Sequence, residues 1–172
     1  MNGNSYDFQE IFNQNFFKKV NFINENKIFN ELQNNRKILV LDFRSRSEFN
    51  ESHCDNSINI PCDEVEIENL FNMNENFLYT FTNGDPYLQT LISKYKRLFI
   101  AIVCSQQKIP RKKFLFEDQN NTNEDLSVAK MLLLYRSLIN NKIREIGIYI
   151  KGYKQYEESY GFLKMHQTTK PK

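Results

Sequence analysis

The chain has 172 residues, a length that suits one domain with a sizeable core. Hydrophobic residues make up 40% of it and charged residues 26%, which is typical of a folded globular protein and excludes a disordered one. The net charge of +2 argues against a dedicated nucleic-acid binder, and no apolar run reaches the roughly 18 residues needed to cross a bilayer.

The N-terminal sequence and the cysteines bear on the cellular compartment. Asp7 and Glu10 are the charged residues of the first 15, a segment without Lys or Arg, so neither a signal peptide nor a transit peptide is expected. Cys54, Cys62 and Cys104 have no disulfide-framework spacing and are expected to be thiols in a reducing compartment. We expect a cytoplasmic protein, with a cytoskeletal or ciliary assembly as one setting within the cytoplasm.

Helices and strands are predicted to alternate along the chain. Residues 1–16 are expected to form an N-terminal arm, and residues 164–172 a flexible C-terminal tail. Residues 106–122 are polar and charged and are predicted to form a loop. Strands are predicted at residues 17–22, 38–41, 57–60, 98–103 and 146–150. Helices are predicted at residues 24–34, 45–51, 64–72, 86–95 and 124–141, and a turn followed by an aromatic helix is predicted at residues 152–162.

The apolar runs at residues 38–41 and 98–103 are typical of parallel strands that are buried on both faces. Because strands and helices alternate, we expect a mostly parallel sheet with helices on both of its faces. Neither an internal repeat nor an interdomain linker is evident. The sequence therefore predicts one α/β domain over residues 17–163.

Polar residues follow the first of these apolar runs. Asp42 ends it and Arg44 comes two positions later, so the carboxylate and the guanidinium are expected to form a structural ion pair that also satisfies loop backbone. His53 is expected to be a structural hydrogen-bonding residue rather than a base or a metal ligand. His166 lies in the predicted tail, and the cysteines form no CxxC, so neither a metal site nor a cofactor is predicted.

Three segments resemble the rhodanese-like family in order and spacing. Residues 38–45, followed by Glu48 and Phe49, are similar to the family's strand ending in Asp-x-Arg and to the acidic-aromatic helix after it. Residues 53–61 are similar to Gly-His-Ile-x-Gly-Ala-x-Asn-Ile-Pro, with the glycines and the alanine replaced. Residues 148–153 resemble the closing strand and turn. The resemblance implies a three-layer α/β fold with a mostly parallel five-stranded sheet.

The resemblance also draws attention to Cys104. In active members a nucleophilic Cys ends a strand, and a tight loop and helix N-terminus behind it hold an anion and lower the thiol pKa. Cys104 stands at that position, but no Gly follows it through Lys113, and Pro110 removes one N–H donor. Arg111 comes seven residues after Cys104, one too far for the Cys-x5-Arg arrangement of the phosphatase branch.

Two functions remain open at this point. The first is a noncatalytic rhodanese-like module that serves as a protein-interaction or structural subunit of a larger assembly, with other protein subunits as its partners. The second is a thiosulfate sulfurtransferase in which Cys104 carries a persulfide. Its candidate anion-binding residues are Ser105, Gln106, Gln107, Lys108 and Arg111.

One branch of the family has similar features. The long segment after Cys104 and the single glycine at Gly152 resemble the noncatalytic domains that precede mitogen-activated-kinase phosphatase domains. Those domains bind a kinase through a basic cluster just after the Asn-Ile-Pro stretch, whereas the corresponding residues 62–68 here are acidic, which argues against kinase binding by that mechanism. No phosphatase domain is expected after residue 172. The basic residues of 108–113 form either a solvated loop or a surface for an acidic partner.

Overall fold

The computed structural model describes residues 14–34, 37–71, 73–105 and 123–160. Its strands are β1 (Ile38–Asp42), β2 (Ser57–Asn59), β3 (Phe99–Val103) and β4 (Glu145–Tyr149). Its helices are α1 (Gln14–Lys19), α2 (Glu25–Asn34), α3 (Arg46–Glu51), α4 (Glu68–Phe71), α5 (Glu75–Tyr79), α6 (Pro86–Ser93), α7 (Asn123–Asn140) and α8, over residues 153–160. A 3-10 turn, Tyr95–Arg97, links α6 to β3.

The four strands form one parallel sheet in the order β2-β1-β3-β4. Val40 of β1 pairs with Ser57 of β2 on one side and with Ala101 of β3 on the other. All residues of β1 and β3 are buried, as expected of central parallel strands that are covered on both faces. The predicted α/β fold with a parallel sheet is confirmed.

The edge of the sheet beyond β4 differs from the prediction. Residues 14–19 are helical, and Phe22 forms only an isolated parallel bridge with Ile148, so the strand predicted at residues 17–22 is wrong. Residues 20–24 lie between α1 and α2, and among them only Phe22 forms a bridge to a strand. The described sheet therefore has four strands instead of five, and the bridge occupies the place of the fifth.

Side chains that alternate along the strands divide the apolar interior into two cores. Leu39 and Leu41 of β1 lie in the larger core, which α4, α5, α6 and α7 cover. Ile38 and Val40 point the other way, into a smaller core beneath α2 and α8. The predicted three-layer arrangement, with helices on both faces of the sheet, is confirmed.

The segment between α4 and α6 contains a helix that was not predicted. Asn74 caps α5 by accepting a hydrogen bond from Phe77 N at 3.0 Å. Phe77 and Phe81 are half-buried and contact each other edge to face, with ring centroids 5.0 Å apart. Tyr87, at the start of α6, is 50% exposed. The segment thus contributes aromatic rings both to the core and to the surface.

Several predictions concern residues outside the described ranges. They include the C-terminal tail, the loop at residues 106–122 and most of the N-terminal arm, of which residues 14–16 belong to α1. The predicted domain boundaries remain predictions. Within the described ranges, no helix combines the length and the apolar character required to span a membrane.

Candidate functional site

The carboxyl ends of β1, β3 and β4 meet at one edge of the sheet because all strands are parallel. The strand register aligns Asp42 with Val103, and Val103 with Tyr149. Arg44 and Cys104 therefore follow their strands at the same edge. In open parallel sheets this edge is where ligands bind, so it is the candidate functional site.

Asp42 and Arg44 form an ion pair in which the two residues are only 1% and 5% exposed. Arg44 Nε and Nη2 donate to the two carboxylate oxygens of Asp42 at 2.9 and 2.8 Å. Nη2 also donates to the Ser52 carbonyl oxygen at 2.6 Å, and the guanidinium carbon lies 4.2 Å from the ring centroid of Tyr153. Burial works to lower the pKa of Arg44, but the hydrogen bonds and charge of Asp42 raise it above its usual value. The guanidinium thus bonds to the protein's own groups and ties β1 to α8.

Cys104 follows β3 and is 3% exposed. Its thiol donates to the Tyr149 carbonyl oxygen, with 3.3 Å between Sγ and the oxygen. Burial raises the pKa of the Cys104 thiol to about 12, and the neighbouring Asp42 and Cys62 act in the same direction. At neutral pH the group is therefore a neutral thiol and not the thiolate that reacts with sulfur donors.

A carboxylate lies beside Ser105, the residue that follows Cys104. Ser105 Oγ donates to Glu48 Oε2 at 3.1 Å. The other carboxylate oxygen accepts from Ser45 Oγ at 3.0 Å, and Ser45 caps α3 by accepting from Glu48 N at 3.3 Å. The sequence signals this cap through the spacing of Ser45 and Glu48, but nothing in it signals the contact with Ser105. The negative charge of Glu48 disfavours an anion at Ser105.

His53 is the remaining predicted site residue that the structure describes, and it contacts other groups. His53 Nδ1 donates to the Phe49 carbonyl oxygen at 2.7 Å, and the two rings stack with centroids 3.8 Å apart. Gln106, Gln107, Lys108 and Arg111 lie outside the described residues. Across the described ranges, no group of three or more His, Cys, Asp or Glu residues is placed to hold a metal ion.

A cleft of about 460 Å³ opens at this edge of the sheet. Both signs of charge line it, since two lysines and an arginine face two glutamates, and the arginine is already paired with Asp42. Cys104 does not contribute to the lining. The lining residues are Arg44, Glu48, Ser105, Lys151, Gly152, Tyr153, Lys154, Gln155 and Glu158.

The family model described as Rhodanese-like domain matches residues 25–159, from the start of α2 into α8. The chain belongs to this family. The match includes β1 with the Asp-x-Arg motif at its end, the Asn-Ile-Pro motif at residues 59–61, where β2 ends, and Cys104. The rhodanese-like fold predicted from those segments is thereby confirmed.

Solved structures with similar folds have low sequence identity to this rhodanese-like chain. The Saccharomyces cerevisiae single domain sulfurtransferase RDL2 has 15% identity and a TM-score of 0.51, with 88% of this chain and 97% of that chain covered. An uncharacterized protein from Saccharomyces cerevisiae has 12% identity and a TM-score of 0.51, with coverages of 85% and 97%. The human single domain sulfurtransferase TSTD1 has 14% identity and a TM-score of 0.48, with coverages of 81% and 96%. At such identities, the two Saccharomyces cerevisiae structures, each with a TM-score of 0.51, show a shared fold alone. No curated protein matches the chain.

Asn56 stands where the rhodanese-like motif around β2 has a glycine. Its φ is +58°, in the left-handed region that asparagine adopts more readily than most residues with a side chain. Asn56 Nδ2 donates to the Ile38 carbonyl oxygen at 3.2 Å, and Asn56 Oδ1 accepts from the Tyr87 hydroxyl at 2.7 Å. The replacement therefore keeps the turn and attaches it to β1 and α6.

Proposed function

We propose that the chain is a noncatalytic rhodanese-like module that acts as a protein-interaction or structural subunit of a larger assembly. The burial of Cys104 carries this proposal. A sulfurtransferase needs a thiolate that its anionic donor can reach, whereas this side chain is 3% exposed and donates its proton to the Tyr149 carbonyl oxygen. With a thiol pKa of about 12, the thiolate is rare at neutral pH.

The surroundings of Cys104 give further support. An anion cradle requires converging backbone N–H groups, and tight curvature of that kind favours glycine. Residues 105–113 contain no glycine, and Pro110 has no N–H to offer. The carboxylate of Glu48, hydrogen-bonded to Ser105, adds a charge of the wrong sign. An anionic persulfide or thiosulfate is thus disfavoured on both counts.

The interaction half of the proposal is supported by the surface near the Asn-Ile-Pro motif. Tyr87 is 50% exposed although its hydroxyl is hydrogen-bonded to Asn56 at 2.7 Å, and fixed aromatic side chains of this kind are enriched in protein interfaces. The three cysteines are free thiols, as a cytoplasmic setting favours, and we propose an assembly there, of a cytoskeletal or ciliary kind.

The alternative is a thiosulfate sulfurtransferase. Cys104 directly follows β3, at the family's nucleophile position, and RDL2 of Saccharomyces cerevisiae is described as a sulfurtransferase. In that reaction the Cys104 thiolate attacks the outer sulfur of thiosulfate, the sulfur–sulfur bond breaks, and sulfite leaves with the bonding electrons. Cyanide then takes the sulfur from the persulfide as thiocyanate and regenerates the thiolate. Cys104 would first have to lose its proton and its bond to Tyr149.

Thiocyanate formation from thiosulfate and cyanide distinguishes the two functions. We expect the purified full chain to form no more thiocyanate than a protein-free control, and its Cys104→Ser and Cys62→Ser variants to behave alike. Mass spectrometry after exposure to thiosulfate should find no added sulfur on Cys104. Activity that is lost in Cys104→Ser but kept in Cys62→Ser would identify a sulfurtransferase and overturn the proposal.

A further inference from the structure

β2 is an edge strand whose outer side has unpaired backbone groups. Val40 N donates to the Asn56 carbonyl oxygen at 2.8 Å, and Ile60 N donates to the Asp42 carbonyl oxygen at 2.9 Å. Alternate residues of a parallel strand face the same neighbour, so Ser57 and Asn59 direct their N–H and C=O groups away from β1. Within the described part of the chain, these outward groups have no hydrogen-bond partner.

A cleft of about 890 Å³ runs along this free edge. Ser57 and Asn59 line it, and Ser57 is buried while Asn59 is half-buried. Aromatic rings line it as well: Phe49 from α3, Phe81 from the turn behind α5, and Tyr87 from α6. A cleft with unpaired backbone groups and aromatic walls is suited to an extended peptide that adds a strand to the sheet.

The charged residues that line the cleft indicate which charge a bound peptide should carry. Asp55 and Asp85 line it, are exposed, and form no ion pair among the described residues. The one Lys or Arg among the described lining residues is Arg46, whose Nη2 lies 2.9 Å from a carboxylate oxygen of Glu64. The surplus charge of the cleft is therefore negative, which favours a basic partner.

We propose that the free edge of β2 is a docking site for an extended, basic segment of another protein, which pairs with the backbone of Ser57 and Asn59. Lys or Arg side chains of the segment then lie near Asp55 and Asp85, and its apolar side chains contact the aromatic rings. This inference rests on the proposed interaction role and names its surface and the chemistry of its partner. The cleft is separate from the Cys104 edge, because their described lining residues do not overlap.

The first test is binding of a short fluorescein-labelled peptide that alternates arginine and valine, measured by fluorescence anisotropy with the full chain. We expect saturable binding that is weakened at least about tenfold by Asn59→Pro, which removes one outward N–H. Asn59→Ala is the matched control, because both variants lose the bonds from Asn59 Nδ2 to Asp42 and Arg44 but alanine keeps the backbone N–H. Equal affinities of the two variants would overturn the proposal.

A second measurement leaves the protein unchanged and does not depend on how Asn59→Pro folds. Two peptides are compared, one N-methylated at every arginine and the other at every valine. Strand pairing uses only one edge of the peptide, so one of the two should bind like the parent and the other should lose binding. The same affinity for both, or no binding of the parent peptide, would overturn the proposal.

Charge is tested with Asp55→Asn/Asp85→Asn, in which asparagine can still cap α6. We expect peptide affinity to fall about threefold or more, whereas Glu66→Gln/Glu68→Gln, with the same change in net charge outside the cleft, should leave it unchanged. A peptide with glutamate in place of arginine should not bind. Equal binding of the acidic peptide, or self-association of the chain through β2 in place of peptide binding, would contradict the proposal.

The docking site and the noncatalytic role can fail separately. If the peptides do not bind and no thiocyanate forms, the docking site is lost but the noncatalytic role is unaffected. If Cys104-dependent thiocyanate forms, the noncatalytic role is lost whatever the peptides do.

Discussion

Ile23 lies so close to Gly147 that a Cβ atom added to Gly147 would be 2.5 Å from Ile23 Cγ2. The contact forms where the chain between α1 and α2 passes along β4, with Ile23 N donating to the Ile148 carbonyl oxygen at 2.9 Å. Atoms of real side chains do not approach this closely. The bridge between Phe22 and Ile148 can therefore form only because Gly147 has no side chain.

We therefore expect Gly147→Ala to lower the free energy of unfolding by about 1–3 kcal/mol, because Ile23 must shift to relieve the overlap. Urea unfolding followed by circular dichroism measures the change. Ile23→Ala opens the space, so Gly147→Ala should lower the free energy of unfolding clearly less in a chain that already carries Ile23→Ala. Equal costs in both backgrounds would show that the contact is not responsible.

The buried Asp42–Arg44 pair predicts a large loss of stability when one partner is neutralised. Asp42→Asn leaves the Arg44 guanidinium without its counter-charge in a buried site, and we expect a loss of about 3–5 kcal/mol in the free energy of unfolding. Glu64→Gln is the control, because the Arg46–Glu64 pair is exposed and should contribute little. Similar losses from the two substitutions would contradict this account.

The cysteines should differ in their reactivity toward a thiol reagent. Cys54 and Cys104 are 4% and 3% exposed, whereas Cys62 is half-buried. We expect a maleimide at neutral pH to label Cys62 first, and Cys54 and Cys104 only at the rate of unfolding, as peptide mass spectrometry can show. Rapid labelling of Cys104 in the folded protein, at a rate independent of denaturant, would indicate an accessible thiolate.

The raised pKa of Cys104 predicts a loss of stability in alkaline solution. In the unfolded chain the thiol titrates near its usual value, close to 9, whereas in the folded protein it keeps its proton up to about 12. Between these values the unfolded chain binds fewer protons, so the stability contributed by the neutral thiol falls as the pH rises, by up to about 1.4 kcal/mol per pH unit. Below about pH 8 the group contributes no pH dependence.

Comparison with Cys104→Ala isolates this effect from the tyrosines and lysines that titrate in the same range. The free energy of unfolding, measured by urea at several pH values, should fall more steeply above pH 9 for the original chain than for the variant. If the free energies of unfolding of the two proteins changed in parallel with pH, the Cys104 thiol would have the same pKa in the folded and the unfolded chain.

The left-handed conformation of Asn56 predicts that substitutions by glycine and by alanine differ in their effect on stability. Asn56→Gly and Asn56→Ala both remove the bonds to Ile38 and Tyr87, but only alanine is strained at a φ of +58°. We expect Asn56→Ala to be less stable than Asn56→Gly by about 1 kcal/mol. Thermal unfolding of both variants checks this, and a lower stability of Asn56→Gly would argue against the conformational explanation.

Features that depend on residues close together in the chain could be predicted from the sequence alone. The continuous apolar run at residues 38–41 predicts β1, and the helix predicted at residues 45–51 corresponds to α3. The Asp-x-Arg and Asn-Ile-Pro segments indicate the family. These signals act over a few positions, because hydrophobic periodicity and caps depend on the local backbone.

The state of the candidate site depends on contacts between residues that are far apart in the chain. Cys104 follows a predicted strand, but its pKa is raised by burial and by Asp42, and its thiol donates to the carbonyl oxygen of Tyr149, 45 positions away. The carboxylate beside Ser105 comes from Glu48, 57 positions away. Packing brings such distant groups into contact, and low solvent exposure then strengthens their effect on a titratable side chain. Cys104 is therefore recognisable as a candidate from the sequence, while its protonated, inaccessible state is a consequence of the fold.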